Sequence, residues 1–194
     1  YLFWMKKNFA NKKITEIDAS QKLFELRKKN NKFKFLSFPT ISGTGPNGAI
    51  IHYKANKKTN RELKKGDIYL VDSGAQYEYG TTDVTRTISL NNSNSRIRDI
   101  FTRVLKGHIA VSKFKLKEDT SGSKIDYHAR KYLLEIGLDY PHSTGHGVGY
   151  FLNVHEGPQA ISKNNKVNFQ EGMVMSNEPG YYEKNKFGIR IENL

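Results

Sequence analysis

Four strand-like runs of this chain begin or end on acids. Ile68–Asp72 is apolar on both sides, as a buried strand is, and closes on Asp72. Asp83 opens Asp83–Ile88, a Thr-rich alternating run with the pattern of a half-buried strand. A strand read around Met173–Glu178 ends on Glu178, and Pro179-Gly180 then force a turn. In Ile189-Arg190-Ile191-Glu192 the alternation puts Arg190 and Glu192 on one face, opposite the isoleucines. If 68–72 and 83–88 pair across a Gly74–Gly80 connection, Asp72 and Asp83 lie about 5 Å apart. His146 stands between Gly145 and Gly147, with nothing beside it to shield its ring from a close neighbour.

Four carboxylates and an imidazole gathered at one point do not make a stable cluster by themselves. Several carboxylates cannot stay ionised together in a partly dry site. Two divalent cations would resolve the conflict, since Asp72, Asp83, Glu178 and Glu192 supply −4 against +4, and a bridging hydroxide would leave −1. A dinuclear hydrolase has this arrangement, with metals about 3.5–4 Å apart. Taken singly, each residue also has an ordinary reading, the acids as turn caps and the histidine as a loop residue. Spacing alone leaves both readings open.

The rest of the chain predicts an α+β fold with antiparallel pairing. A helix is expected over 16–29, with Thr15 and Asp18 as a capping box and Ile17, Ala19, Leu23 and Leu26 as an apolar face. Ala49–Tyr53 reads as a short strand. A long helix capped by Ser95 carries Ile97, Ile100, Phe101, Val104, Leu105 and Ile109. A second, capped by Ser123, runs from Lys124 to Ile136, where Gly137 stops it. A closing strand starts at Phe187. Strands with two or three helices, without alternating βαβ units, repeats or linkers, indicate one unit over residues 1–194. The sequence lacks an initiator Met and stops directly after a strand-like run, as a piece of a larger domain would.

Several functions are disfavoured. No cysteine is present, which removes disulfides, thiolate zinc sites and a cysteine nucleophile. No apolar run approaches the roughly 20 residues of a membrane helix. Without a signal-peptide layout, a cytoplasmic location and no membrane partner are expected. The net charge of +13 suggests nucleic acid. Its distribution argues otherwise, because residues 1–65 carry 16 Lys and Arg against 4 acids, and residues 66–194 carry 16 against 15. Lys outnumbers Arg 24 to 8, whereas bidentate phosphate and base recognition favours Arg. A solvated, compositionally biased surface is the reading adopted, with a phosphate-binding stripe as its competitor. Gly43–Gly48 spells G-x-G-x-x-G, but it contains Pro46 and precedes a predicted strand, so it reads as a tight turn.

The runs LSFPTISGTGPNGAIIHY, YLVDSGAQYEYGTTDVTRT, HSTGHGVGYFLNVHEGP, EGMVMSNEPGYY and GIRIEN resemble the aminopeptidase P family, the Xaa-Pro aminopeptidases of the pita-bread metallopeptidase superfamily. They span roughly Phe35 to Asn193 in the family's order, and look closest to its three-domain cytosolic branch. In that branch the catalytic domain comes last, so the resemblance implies a partial catalytic domain without the two preceding ones. It implies that Asp72 chelates one metal, that Asp83 and Glu192 bridge both, and that His146 and Glu178 complete the other. Glu178 would also shuttle the proton of the bridging water. His52, His142 and His155 resemble the histidines lining the substrate site, with His155 helping to stabilise the tetrahedral intermediate. Arg190 resembles the arginine that orients the carboxylates. His108 and His128 match nothing and are expected at the surface.

The implied reaction is hydrolysis of the first peptide bond of peptides with proline second, by a hydroxide bridging two divalent metals. One histidine, four carboxylates and no thiolate form a hard ligand set that suits Mn(II), with Co(II) or Zn(II) as substitutes. The resemblance also implies a homodimer for the full-length protein. Alternatives are a prolidase acting on Xaa-Pro dipeptides and, from another class, a non-catalytic basic interaction domain on the same fold.

Overall fold

The computed structural model describes every residue from 1 to 194 except Leu152. The chain begins with helices α1 (Leu2–Asn8) and α2 (Glu16–Lys28), then strands β1 (Phe33–Leu36) and β2 (Ile41–Thr44). Strands β3 (Ile68–Ser73), β4 (Ala75–Tyr77), β5 (Gly80–Thr81) and β6 (Val84–Ser89) follow. Next come α3 (Ser95–Ser112), α4 (Gly122–Leu134), β7 (Gly145–His146), β8 (Ala160–Ile161), β9 (Gly180–Glu183) and β10 (Phe187–Arg190). Every strand pairing among the described residues is antiparallel, so the α+β expectation holds. Among the described residues, no helix is long and apolar enough to cross a membrane.

The capping box forms as expected. Asp18 N donates to Thr15 Oγ1 at 3.2 Å, and Thr15 N donates to Asp18 Oδ2 at 2.9 Å. The apolar face of α2 departs from expectation, because Ile17 is exposed and Glu16 is fully buried. The Glu16 carboxylate accepts from Thr44 N, Asn47 Nδ2, Tyr53 OH and Arg61 N at 2.8–3.0 Å, which satisfies a charge that would otherwise not tolerate burial. The same bonds explain why Ala49–Tyr53 is not a strand. Gly45, at φ 54°, and Pro46 open a 3-10 turn over Gly45–Ala49, and Glu16 holds the loop that follows.

Strand β3 lies between β2 and β6, and its alternation divides the core. Tyr69 and Val71 pack against α1 and α2 with Met5, Ala19 and Leu90. On the opposite face Ile68 joins Ile100, Val104, Leu133 and Ile189, while Leu70 meets Ile41 and Tyr53. Asp72 continues that second face by the period of two. The Gly74–Gly80 connection is not a simple loop, since it contains β4, which pairs with β1 and β5. Position 74 must be glycine, because a Cβ there would lie 1.8 Å from Thr82 O. Two helix starts shift by one or two residues. Asn94 caps α3 through Ile97 N at 2.9 Å, and Ser121 is the N-cap position of α4.

Candidate metal centre

Asp72 stands opposite Thr85 in the β3–β6 register, so Asp83 is its diagonal neighbour and not its direct partner. A diagonal pair has a spacing of about 7–8 Å, against about 5 Å for the direct pair expected from the sequence. His146 is delivered by β7, held in place because its glycine neighbours admit backbone contact. A Cβ at Gly145 would lie 1.9 Å from Ser176 O, and one at Gly147 would lie 2.0 Å from Glu156 O. The glycines therefore serve chain approach and not merely ring access. Glu178 does not end a strand. Its segment is extended and tied to the 144–148 segment by Ser176 N to His146 O and Glu178 N to Thr144 O, at 2.8 and 2.7 Å. Glu192 follows β10, and its carboxylate accepts from Thr85 Oγ1 at 2.6 Å.

These segments converge on one cleft of about 540 Å³. It is lined by all nine residues singled out from the sequence: His52, Asp72, Asp83, His142, His146, His155, Glu178, Arg190 and Glu192. Ligand-capable atoms of Asp83, His146 and Glu192 lie within 4.8 Å of one another. His146 Nε2 is 3.3 Å from both Asp83 Oδ2 and Glu178 Oε1. Its Nδ1 is 2.8 Å from Gly147 O, an acceptor that keeps a proton on that nitrogen. Nε2 thus faces two carboxylates, where either a proton or a cation must sit. Asp72 Oδ2 accepts from Arg190 Nη2 at 2.7 Å, while its buried Oδ1 has no partner among the described residues. The orphaned oxygen, the clustered acids and the directed imidazole fit a pair of divalent cations.

The electrostatics record the strain of this cluster without cations. Burial drives Asp72 upward, with Arg190 opposing and Asp83 adding to the rise. Burial pushes Glu178 up to about 7 against the pull of His146 and Arg190. Glu192 is raised well above the usual range by burial and then by Glu178, Asp72 and Asp83. Burial opposes charge on His146, yet Asp83 and Glu178 raise it overall. In chelator, stability is therefore expected to fall as pH rises from 6.5 to 8. Above 6.5 unfolded carboxylates are fully ionised and unfolded histidines mostly neutral. The native state still holds protons on Glu178, raised to about 7, and on Glu192, raised well above its usual range, so its advantage declines by at most about 1.4 kcal/mol per pH unit for each proton that it retains and the unfolded chain does not. Urea denaturation at several pH values measures this. A rise in stability across the interval would contradict the shifts.

On the opposite wall the histidines differ. His52 and His155 are exposed at the cleft, and the His155 ring lies 4.1 Å from that of His146. Burial, with help from His146, lowers His155. His142 is partly buried and is pushed down to about 4 by burial, with Arg190 and Arg130 adding to the shift. Its Nδ1 faces Ser143 O and its Nε2 accepts from Tyr182 OH, each at 2.8 Å. Arg190 Nη1 donates to the same Tyr182 oxygen at 2.7 Å. Arg190 is 2% exposed and also reaches Thr85 Oγ1 at 3.1 Å.

Three contributors were missed from the sequence. Thr85 shares the face of Asp83 by alternation, so a signal existed. Ser176, which donates to Glu178 Oε1 at 2.9 Å, and Tyr182 gave none. The surface expectation for His108 is overturned, because its ring is buried against Asn177 O at 3.0 Å. His128 is half-buried against Phe114, with ring centres 5.0 Å apart, and stands away from the cleft lining.

Comparison with known proteins agrees with this geometry. The model of "Metallopeptidase family M24" matches residues 3–194. A probable Xaa-Pro aminopeptidase P of Phaeosphaeria nodorum is 50% identical over 199 residues, covering 100% of this chain and 31% of that protein. Aminopeptidase P2 of Arabidopsis thaliana is 50% identical over 98% of this chain and 27% of its own length. The chain thus spans about a third of the curated relatives it matches. Among solved structures, the X-prolyl aminopeptidase of Caenorhabditis elegans, described as a cytosolic enzyme with a di-nuclear active site, superposes with a TM-score of 0.94. It is 43% identical, and the match covers 99% of this chain and 32% of that one. A prolidase from Pyrococcus furiosus gives a TM-score of 0.83 at 33% identity, over 93% of this chain and 52% of that one.

Proposed function

The chain belongs to metallopeptidase family M24, and from that premise we propose that it is the catalytic part of a longer Xaa-Pro aminopeptidase. That protein would release the first residue of peptides with proline second. The observation that carries this reading is the convergence of Asp72, Asp83, His146, Glu178 and Glu192 in one cleft, in a pita-bread α+β fold shared with the C. elegans enzyme. Asp83 and Glu192 would hold both cations, Asp72 one of them, and His146 with Glu178 the other. Mn(II) fits this hard donor set, with Co(II) or Zn(II) as substitutes. Two such cations would supply a shared hydroxide nucleophile at neutral pH and polarise the scissile carbonyl.

The chain's own residues do the rest. Glu178 takes the proton of the attacking water and returns it to the leaving nitrogen. Ser176 holds Oε1 of that carboxyl in place. His155, exposed beside His146, donates to the oxygen that becomes anionic. His52 and His142 line the same cleft and would hold the scissile carbonyl and the proline side. The cleft lining also includes Phe38, Pro39, Ile51 and Tyr53, apolar surface suited to the ring. Proline's tertiary amide has no N–H, so such a wall can accept it without offering a partner. Arg190 fixes Asp72 at 2.7 Å and partly neutralises the acids. For the full-length protein, a cytoplasmic location and a homodimer extend the reading.

The test is release of the first residue from Arg-Pro-Pro with Mn(II), with chelator, and with Arg-Ala-Ala as control. Cleavage of the proline peptide alone, abolished by chelator, is the expected result. Cleavage of Arg-Pro but not Arg-Pro-Pro would transfer the assignment to a prolidase, a reading favoured by the P. furiosus likeness. Absence of both metal binding and cleavage would leave the basic, non-catalytic alternative.

A further inference from the structure

Behind the cleft, α3 turns His108 toward the two segments that carry Glu178 and Glu192. The hydrogen bonds there have only one consistent direction. Arg86 has donors and no acceptor, so the atom of Asn193 that it reaches from Nη2, at 2.9 Å, must be Oδ1. The Asn193 amide NH2 then faces His108 Nε2 at 3.2 Å. That nitrogen must be the bare one, so Nδ1 carries the proton and donates to Asn177 O at 3.0 Å. Asn177 Nδ2 in turn donates to His108 O and Ser112 Oγ, both at 3.0 Å. Arg86 Nη1 also holds Glu192 O at 2.7 Å. The two segments meet directly where Asn177 N donates to Asn193 O at 2.9 Å.

We propose that His108 is a positioning residue for the metal centre. The directed chain Arg86–Asn193–His108–Asn177 locks the backbones adjoining Glu192 and Glu178 to one helix, and so sets how tightly the centre holds its cations. This rests on the reading of Glu178 and Glu192 as ligands. The ring suits the task because it donates on one edge and accepts on the other with no rotatable bond between. It does not serve chiefly to seat the helix, since Ile100, Val104 and Val111 already bury α3 in the core. Groups that orient ligands without touching the metal change affinity by about 10–100-fold when removed.

The experiment is calorimetric titration of Mn(II) into metal-stripped full-length protein, with melting followed by circular dichroism. His108→Phe keeps the ring shape and loses both bonds, and is expected to weaken Mn(II) binding about 10–100-fold. In His108→Gln the side-chain carbonyl lies near the Nε2 position and can accept from Asn193, so part of the loss is recovered. Asn193→Ala breaks the chain at an exposed residue and leaves its backbone bond to Asn177 in place. It is expected to weaken binding in the same sense and, combined with His108→Phe, to add little. Mn(II) affinity within two-fold of wild type in Asn193→Ala, or in a folded His108→Phe, overturns the proposal while leaving the centre intact. Wild-type protein that binds no Mn(II) overturns both the centre and the role of His108.

Discussion

Replacing Glu192 with glutamine is expected to cut hydrolysis of Arg-Pro-Pro by at least about a thousand-fold while stabilising the metal-free protein. The two effects share one cause. Glu192 is 1% exposed, and its charge is opposed by burial and by Glu178, Asp72 and Asp83. Glutamine keeps an oxygen for the Thr85 hydroxyl and removes the repulsion, so the apoprotein gains on the order of 1 kcal/mol. With metal the sign reverses. A carboxylate proposed to touch both cations is lost, and several kcal/mol of transition-state stabilisation go with it, where about 4 kcal/mol corresponds to a thousand-fold. The stabilisation that saturating Mn(II) confers on wild type, about 2.7 kcal/mol per site at a hundred times Kd, should shrink or vanish. Scanning calorimetry with and without chelator, beside a turnover assay, reads both arms. A destabilised apoprotein that still turns over would contradict the dinuclear assignment.

Arg190→Met is expected to destabilise the metal-free protein by about 3–5 kcal/mol, the range for a buried charge deprived of its partner. Asp72 would keep one orphaned oxygen and lose the donor to the other. Tyr182 would lose the donor that fixes its hydroxyl toward His142. Arg190→Lys preserves charge but not the planar fork that reaches Asp72, Tyr182 and Thr85 together, so it recovers only part. The double variant Arg190→Met/Asp72→Asn should be more stable than Arg190→Met alone, because the stranded charge is gone. Urea denaturation at pH 7 in chelator measures the series. A loss under about 1 kcal/mol for Arg190→Met would mean that Asp72 is already protonated there, and would remove Arg190 as the neutralising group.

Much of the centre was legible because it is built on period-two strands. Asp72 follows Ile68 and Leu70 on one face of β3, and Arg190 and Glu192 oppose Ile189 and Ile191, all within a few residues. The α2 cap was legible for the same reason, since Thr15 and Asp18 settle it between themselves. What failed depended on distant partners. Ala49–Tyr53 looks like a strand until Glu16, more than thirty residues earlier, organises it as a turn. The Met173–Glu178 run is extended, but its bonds go to 144–148 and to Asn193, which no local pattern announces. His108 sat in a helix whose apolar period omitted it, and only the fold brings Asn177 and Asn193 to its ring.

The bonds that close the centre join residues far apart along the chain. Arg190 meets Asp72 across 118 positions, and Thr85 meets Glu192 across 107. Such contacts carry a high loop-closure cost and form late, after local helices and hairpins. The proposed centre would therefore be incomplete in a nascent polypeptide whose earlier helices and strands had already formed. Emergence of β10 from the ribosome and its docking beside β3 would act as a built-in delay on metal loading.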